Sequence, residues 1–128
     1  MIATGWQRVE GALMALAGLG IAFVVQPGWP WWAWPLILLA PDVAMAGYAA
    51  GPRVGAAVYN AAHLYGAATM LAVLGVGTGL TLLIAIGGMW IAHIGIDRTL
   101  GYGLKSPQGF RITHLCRIGL GRNQSAGK

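Results

Sequence analysis

Apolar residues run through the chain in four long stretches, at about residues 7–25, 31–50, 54–76 and 79–97, each near the roughly 20 residues a helix needs to cross the hydrocarbon core of a membrane. Turn formers interrupt them: Gln26-Pro27-Gly28 with Pro30, then Gly51-Pro52-Arg53, then a glycine-rich link from Gly75 to Gly79. Connections this short make successive helices antiparallel neighbours. The pattern predicts an all-α membrane protein, with a four-transmembrane-helix antiparallel bundle over residues 1–100. An interfacial segment over 101–121 and a disordered tail over 122–128 should follow.

Composition narrows the class further. The 128 residues are 57% hydrophobic and 9% charged, against about 25% charged in a soluble domain. That leaves no room for a separate soluble enzyme domain. The first stretch is expected to remain as a helix rather than be cleaved as a signal peptide, because Glu10 stands directly before its apolar run from Gly11 and no clear small-residue cleavage site follows. Glycines inside the stretches, such as Gly47, Gly51, Gly55, Gly75 and Gly79, suit close helix packing or turns. The single Cys116 has no intramolecular disulfide partner.

Charge sets the orientation. Arg8 precedes the first stretch, Arg53 lies between the second and third, and Arg98, Lys105, Arg111, Arg117, Arg122 and Lys128 follow the fourth. All eight cations thus fall on one side, and the positive-inside rule makes both termini cytoplasmic, in a multi-pass protein of the cell inner membrane. The opposite loop holds Trp29, Trp31, Trp32 and Trp34, as an interfacial aromatic belt would. The basic C-terminal tail, with Phe110, Ile112, Leu115, Ile118 and Leu120 among its cations, should lie on the anionic leaflet. Its partners are therefore membrane lipids, with a homo-oligomer left open and no nucleic acid expected.

Against this background the ionisable residues in the apolar stretches carry the chemistry. Asp42, His63, His93 and Asp97 stand in a medium that charges about 2.5 kcal/mol or more for an ionised group, so they imply a task. With helices one and three running outward and two and four inward, every one falls in the cytoplasmic half. Helical rise places Asp42 and His63 deep, Asn60 and His93 midway, and Glu10 and Asp97 at the mouth of a polar cleft, with His114 able to fold over it. Two histidines and two carboxylates are ligand types for a divalent metal, Zn²⁺, Mn²⁺ or Fe²⁺, and His93 and Asp97 share a helix face. Glu10 or His114 would then act as acid or base, while Asn60, Arg53 and Arg98 would contact an anionic substrate. The bland alternative is that these residues serve as interhelical glue or interface ion pairs.

Several segments carry a resemblance: Ala40-Pro41-Asp42, Gly47-Tyr48, Gly51-Pro52-Arg53-Val54-Gly55, Tyr59-Asn60 with His63, His93-Ile94-Gly95-Ile96-Asp97-Arg98, Gly101-Tyr102-Gly103-Leu104-Lys105 and Thr113-His114-Leu115. Together they resemble a small bacterial family of four-helix membrane proteins of unknown function, over nearly the whole chain. More distantly, Pro41-Asp42, His63 and His93 through Asp97 with Gly101 are similar to the bacterial membrane-bound metal-dependent hydrolases. The longer His-Arg and Thr-His-Ser signature of that group is missing from the matching place. The expectation is a metal-dependent membrane enzyme, a hydrolase of a lipid-linked or amphipathic substrate. A proton-coupled transporter or channel and a non-catalytic accessory subunit are the alternatives.

Overall fold

The computed structural model describes residues 2–25 and 27–115. The expected tail over 122–128, and Cys116, Arg117, Ile118 and Leu120, lie outside the described residues.

Five α-helices follow one another: α1 (Ile2–Val25), α2 (Ala33–Leu39), α3 (Pro52–Ala62), α4 (Tyr65–Thr78) and α5 (Thr81–Leu100). A 3-10 helix, Ala40–Ala50, continues α2, and a hairpin of β1 (Lys105–Ser106) and β2 (Gly109–Thr113) closes the described chain. By length and composition, three helical stretches can cross a membrane: Ile2–Val25, Ala33–Ala50 and Thr81–Leu100. The pair α3 and α4, bent by 40° at its break, counts as a fourth if it forms one span.

The seam between α1 and α5 is the most extensive helix contact, and it is built from small residues. Gly11, Ala15, Gly18 and Ala22 are buried along α1, and Gly88, Ala92 and Gly95 along α5. A Cβ added at Gly95 would sit 2.5 Å from the Gly11 carbonyl oxygen, and one at Gly88 would sit 2.7 Å from that of Gly18. The two backbones therefore approach as closely as hydrogen atoms in place of side chains allow. Gly11 faces Gly95 and Gly18 faces Gly88, so the helices run antiparallel. Arg8 fastens the far end, its Nε donating to the Thr99 carbonyl at 2.8 Å.

Two of the four expected helices are not continuous α-helices. The second becomes seven residues of α-helix and then eleven of 3-10 helix from Ala40, with Pro41 at the junction. Proline lacks the amide proton that an α-helical bond needs. The third is broken at His63 and Leu64, where the backbone turns extended at Leu64 (φ −93°, ψ 125°). One carbonyl at the break, that of Ala62, has a side-chain partner, as a membrane interior favours. Trp90 Nε1 donates to the Ala62 carbonyl at 2.6 Å, and the His63 ring Nδ1 meets the Tyr59 carbonyl at 2.8 Å.

The segment after α5 folds into a hairpin. Its hairpin pairs Lys105 with Thr113 and Ser106 with Gly109, and it packs back on α3. Asn60 makes the attachment: its Nδ2 donates to the Lys105 carbonyl at 2.9 Å and its Oδ1 accepts from the Lys105 amide at 2.6 Å. At the opposite end of the chain's long helices, Trp29 and Trp34 meet edge to face at 5.2 Å and pack on the buried Ala22, Ala85 and Met89. Trp31 and Trp32 stay exposed, as residues of an interfacial belt do.

Candidate metal centre

The helix break, the 3-10 segment and α5 converge on one point. Asp42, His63, His93 and Asp97 each offer a ligand atom there, and all four atoms lie within 4.8 Å of one another. His63 Nε2 is 3.1 Å from His93 Nε2, 3.4 Å from Asp97 Oδ2 and 3.7 Å from Asp42 Oδ1. His93 Nε2 is 3.3 Å from Asp42 Oδ1 and 3.6 Å from Asp97 Oδ2. A tetrahedron with metal–ligand bonds of about 2.0–2.1 Å has edges of about 3.3 Å. The five distances scatter around that value.

The ladder of depths expected from helical rise is thus replaced by a single cluster. His93 and Asp97 are four residues apart, about 6 Å of rise, and side chains reaching toward each other close that gap. The Tyr59 carbonyl, which also accepts from the His63 amide at 3.0 Å, holds the His63 ring in place.

That hydrogen bond fixes the chemistry of His63. A carbonyl only accepts, so Nδ1 carries a proton, which in the neutral form of the ring leaves the Nε2 lone pair directed at the other three ligands. This is the tautomer a metal requires. Tyr59 reinforces the arrangement from below: its ring stacks on His63 at 3.7 Å and 12°, and its hydroxyl donates to Asp97 Oδ2 at 3.2 Å. Both histidine side chains are 4% exposed and that of Asp97 16%, whereas that of Asp42 is 38% exposed. The cluster opens on its Asp42 side.

Lys105 was not singled out by sequence reasoning, yet it is 5% exposed beside this centre. Its Nζ lies 5.1 Å from the Tyr59 ring centroid, 5.9 Å from Tyr102 and 4.1 Å from Phe110. Cation–π attraction of this kind offsets part of the cost of burying an ammonium. Its only advance signal is the aromatic spacing of Tyr102, Lys105 and Phe110.

The other candidate residues fall elsewhere. Asn60 has both ends of its amide on the Lys105 backbone and so secures the hairpin. Arg53 is exposed in the first turn of α3, about 15 Å of helical rise from His63. Glu10, Arg98 and His114 line a separate cleft of about 210 Å³ with Gln7 and Tyr65. There Arg98 Nη1 lies 3.0 Å from His114 Nε2, and the Leu104 amide donates to His114 Nδ1 at 2.8 Å. Partial burial and the neighbouring guanidinium push the His114 imidazole below its ordinary pKa of 6.5.

Two histidines and two aspartates with a tautomer set for coordination form a group that can bind a divalent metal. No curated protein and no solved structure matches the chain. A family model does: over residues 4–118 it identifies the chain as a member of the uncharacterised family described as Domain of unknown function (DUF4260).

Proposed function

We propose that the chain is a divalent-metal-dependent enzyme of the inner membrane, a hydrolase acting on a lipid-linked or amphipathic substrate from the cytoplasmic side. The observation that carries this reading is the convergence of four donor atoms within 4.8 Å, two of them on buried histidines. Charge balance supports it. Two aspartates with two neutral histidines carry two negative charges, which one divalent cation cancels. A metal such as Zn²⁺, Mn²⁺ or Fe²⁺, when bound, supplies Lewis acidity that activates water and polarises the bond to be cleaved.

The chain's own groups do the remainder. Asp42, the most exposed of the four, gives Oδ1 to the cluster and would use Oδ2 to accept a proton from the attacking water. Tyr59 holds Asp97 in place, and the Tyr59 carbonyl keeps the His63 ring from turning. The substrate reaches Asp42 from the side where Arg53 and the hairpin lie. A four-span bundle with both termini cytoplasmic fits the eight cations, and the Arg8 to Thr99 bond supports placing the start of α1 and the end of α5 together.

Metal analysis tests the reading directly. Protein purified in detergent without added metal is expected to retain a stoichiometric divalent ion, and His63→Ala and His93→Ala to lose it. A parent chain with no stoichiometric metal overturns the proposal.

A further inference from the structure

The cleft of about 210 Å³ between the start of α1 and the end of α5 is a second polar site, and it shares no residue with the metal cluster. Its lining combines opposite charges that do not meet. Glu10 and Arg98 both face it, and among the described residues they form no ion pair with each other. Among the described residues the Arg98 guanidinium approaches only His114, through Nη1, so its Nε and Nη2 protons are left for another acceptor. The Tyr65 hydroxyl, also in the lining, is buried and has no hydrogen-bond partner. It lies in the electrostatic field of Arg98, Glu10 and Asp97.

A buried hydroxyl without a partner, a guanidinium with spare donors and an unpaired carboxylate around one cavity ask for a ligand of both signs. The planar fork of arginine matches a phosphate, while a carboxylate takes only hydrogen-bond donors and prefers an ammonium. Beside the cleft, α1 turns Trp6, Val9 and Leu13 outward, 69%, 49% and 62% exposed, where acyl chains would run. We infer that this cleft binds a zwitterionic head group that joins a phosphate to a primary ammonium, the phosphate on Arg98 and Tyr65 and the ammonium on Glu10. The same chemistry occurs in a phosphatidylethanolamine lipid and in free phosphoethanolamine; the apolar flank of α1 favours the lipid.

Native mass spectrometry of the full chain in detergent tests this with three probes: phosphatidylethanolamine, phosphatidylglycerol and free phosphoethanolamine. Phosphatidylethanolamine is expected to bind about tenfold more tightly than phosphatidylglycerol, which lacks the ammonium. Glu10→Gln should erase that preference while leaving phosphatidylglycerol binding as it was. Arg98→Gln should weaken both lipids. Glu10 is exposed, so its substitution leaves the fold intact, and unchanged metal content in Glu10→Gln separates this site from the cluster. A parent that holds the two lipids equally, or a preference that survives Glu10→Gln, overturns the assignment. Displacement of bound lipid by equimolar free phosphoethanolamine overturns the lipid as the source, and failure to displace it supports the lipid.

Discussion

Helix α5 turns Gly88, Ala92 and Gly95 toward α1, and over overlapping turns it turns His93 and Asp97 toward α3 and the 3-10 segment. The first face is backbone against backbone, with the Arg8 to Thr99 hydrogen bond at its end. The second face is nearly all polar atoms at defined separations. The difference teaches how a small membrane protein positions a cluster. Close van der Waals contact over the seam leaves α5 a single depth and rotation. Directional bonds from Tyr59 and the helix break then set the ligands with that rotation already fixed.

Breaking the seam should therefore disturb the cluster without touching it. Gly95→Leu forces atoms into the space of the Gly11 carbonyl and the Ala15 amide, each 2.5 Å from even a single added carbon. A loss of about 3 kcal/mol or more is expected, since overpacking at a backbone contact cannot be relieved by a rotamer change. Thermal unfolding in detergent measures it, and metal retention should fall in parallel. Normal stability in that variant would show that α1 does not hold α5.

A gentler change separates positioning from packing. Tyr59→Phe keeps the ring stacked on His63 and removes only the hydroxyl bond to Asp97. Metal affinity should drop about 10- to 100-fold, the usual cost of losing a group that orients a ligand, while the melting temperature of the metal-free chain stays close to the parent. Competition with chelators of graded strength reads the affinity. An unchanged affinity would mean that Asp97 is oriented by α5 alone.

The smallest effect concerns the hairpin. Its His114 accepts from the Leu104 amide, and partial burial together with the Arg98 guanidinium beside it keeps its pKa below 6.5 in the docked state. The undocked ring, at its ordinary value, binds protons more readily. Docking is thus fully supported above pH 6.5 and loses support as pH falls below it toward the lowered value. Hydrogen exchange at Leu104, corrected for the intrinsic rate, should accelerate modestly below pH 6.5. The acceleration should vanish in His114→Gln.

Much of this was legible in the residues. The four apolar stretches are present as helical spans or a broken pair, and Asp42, His63, His93 and Asp97 stand out because a membrane interior tolerates such groups poorly. The seven-residue spacing of Gly11 with Gly18 and of Gly88 with Gly95 was also visible, and the sequence reading passed over it for the glycines near the turns. Other features had no local signal. The break at His63 follows an ordinary helical run, and it depends on Trp90, 28 positions away, to take the Ala62 carbonyl. The role of Asn60 depends in the same way on Lys105, 45 positions away. Periodicity reports which face of a helix is apolar; it does not report a partner that arrives from another helix.

The indole of Trp90 has a consequence for the order in which the protein is made. As residues 52–78 leave the ribosome they form one apolar run, and the Ala62 carbonyl has no side chain to receive it. An unbroken helix is then the conformation that satisfies the backbone. Only after α5 has been synthesised and inserted does the indole come within reach. Bending, and with it the turn of His63 toward the other three side chains, belongs to assembly after insertion, so the four donor atoms come together only with the last helix.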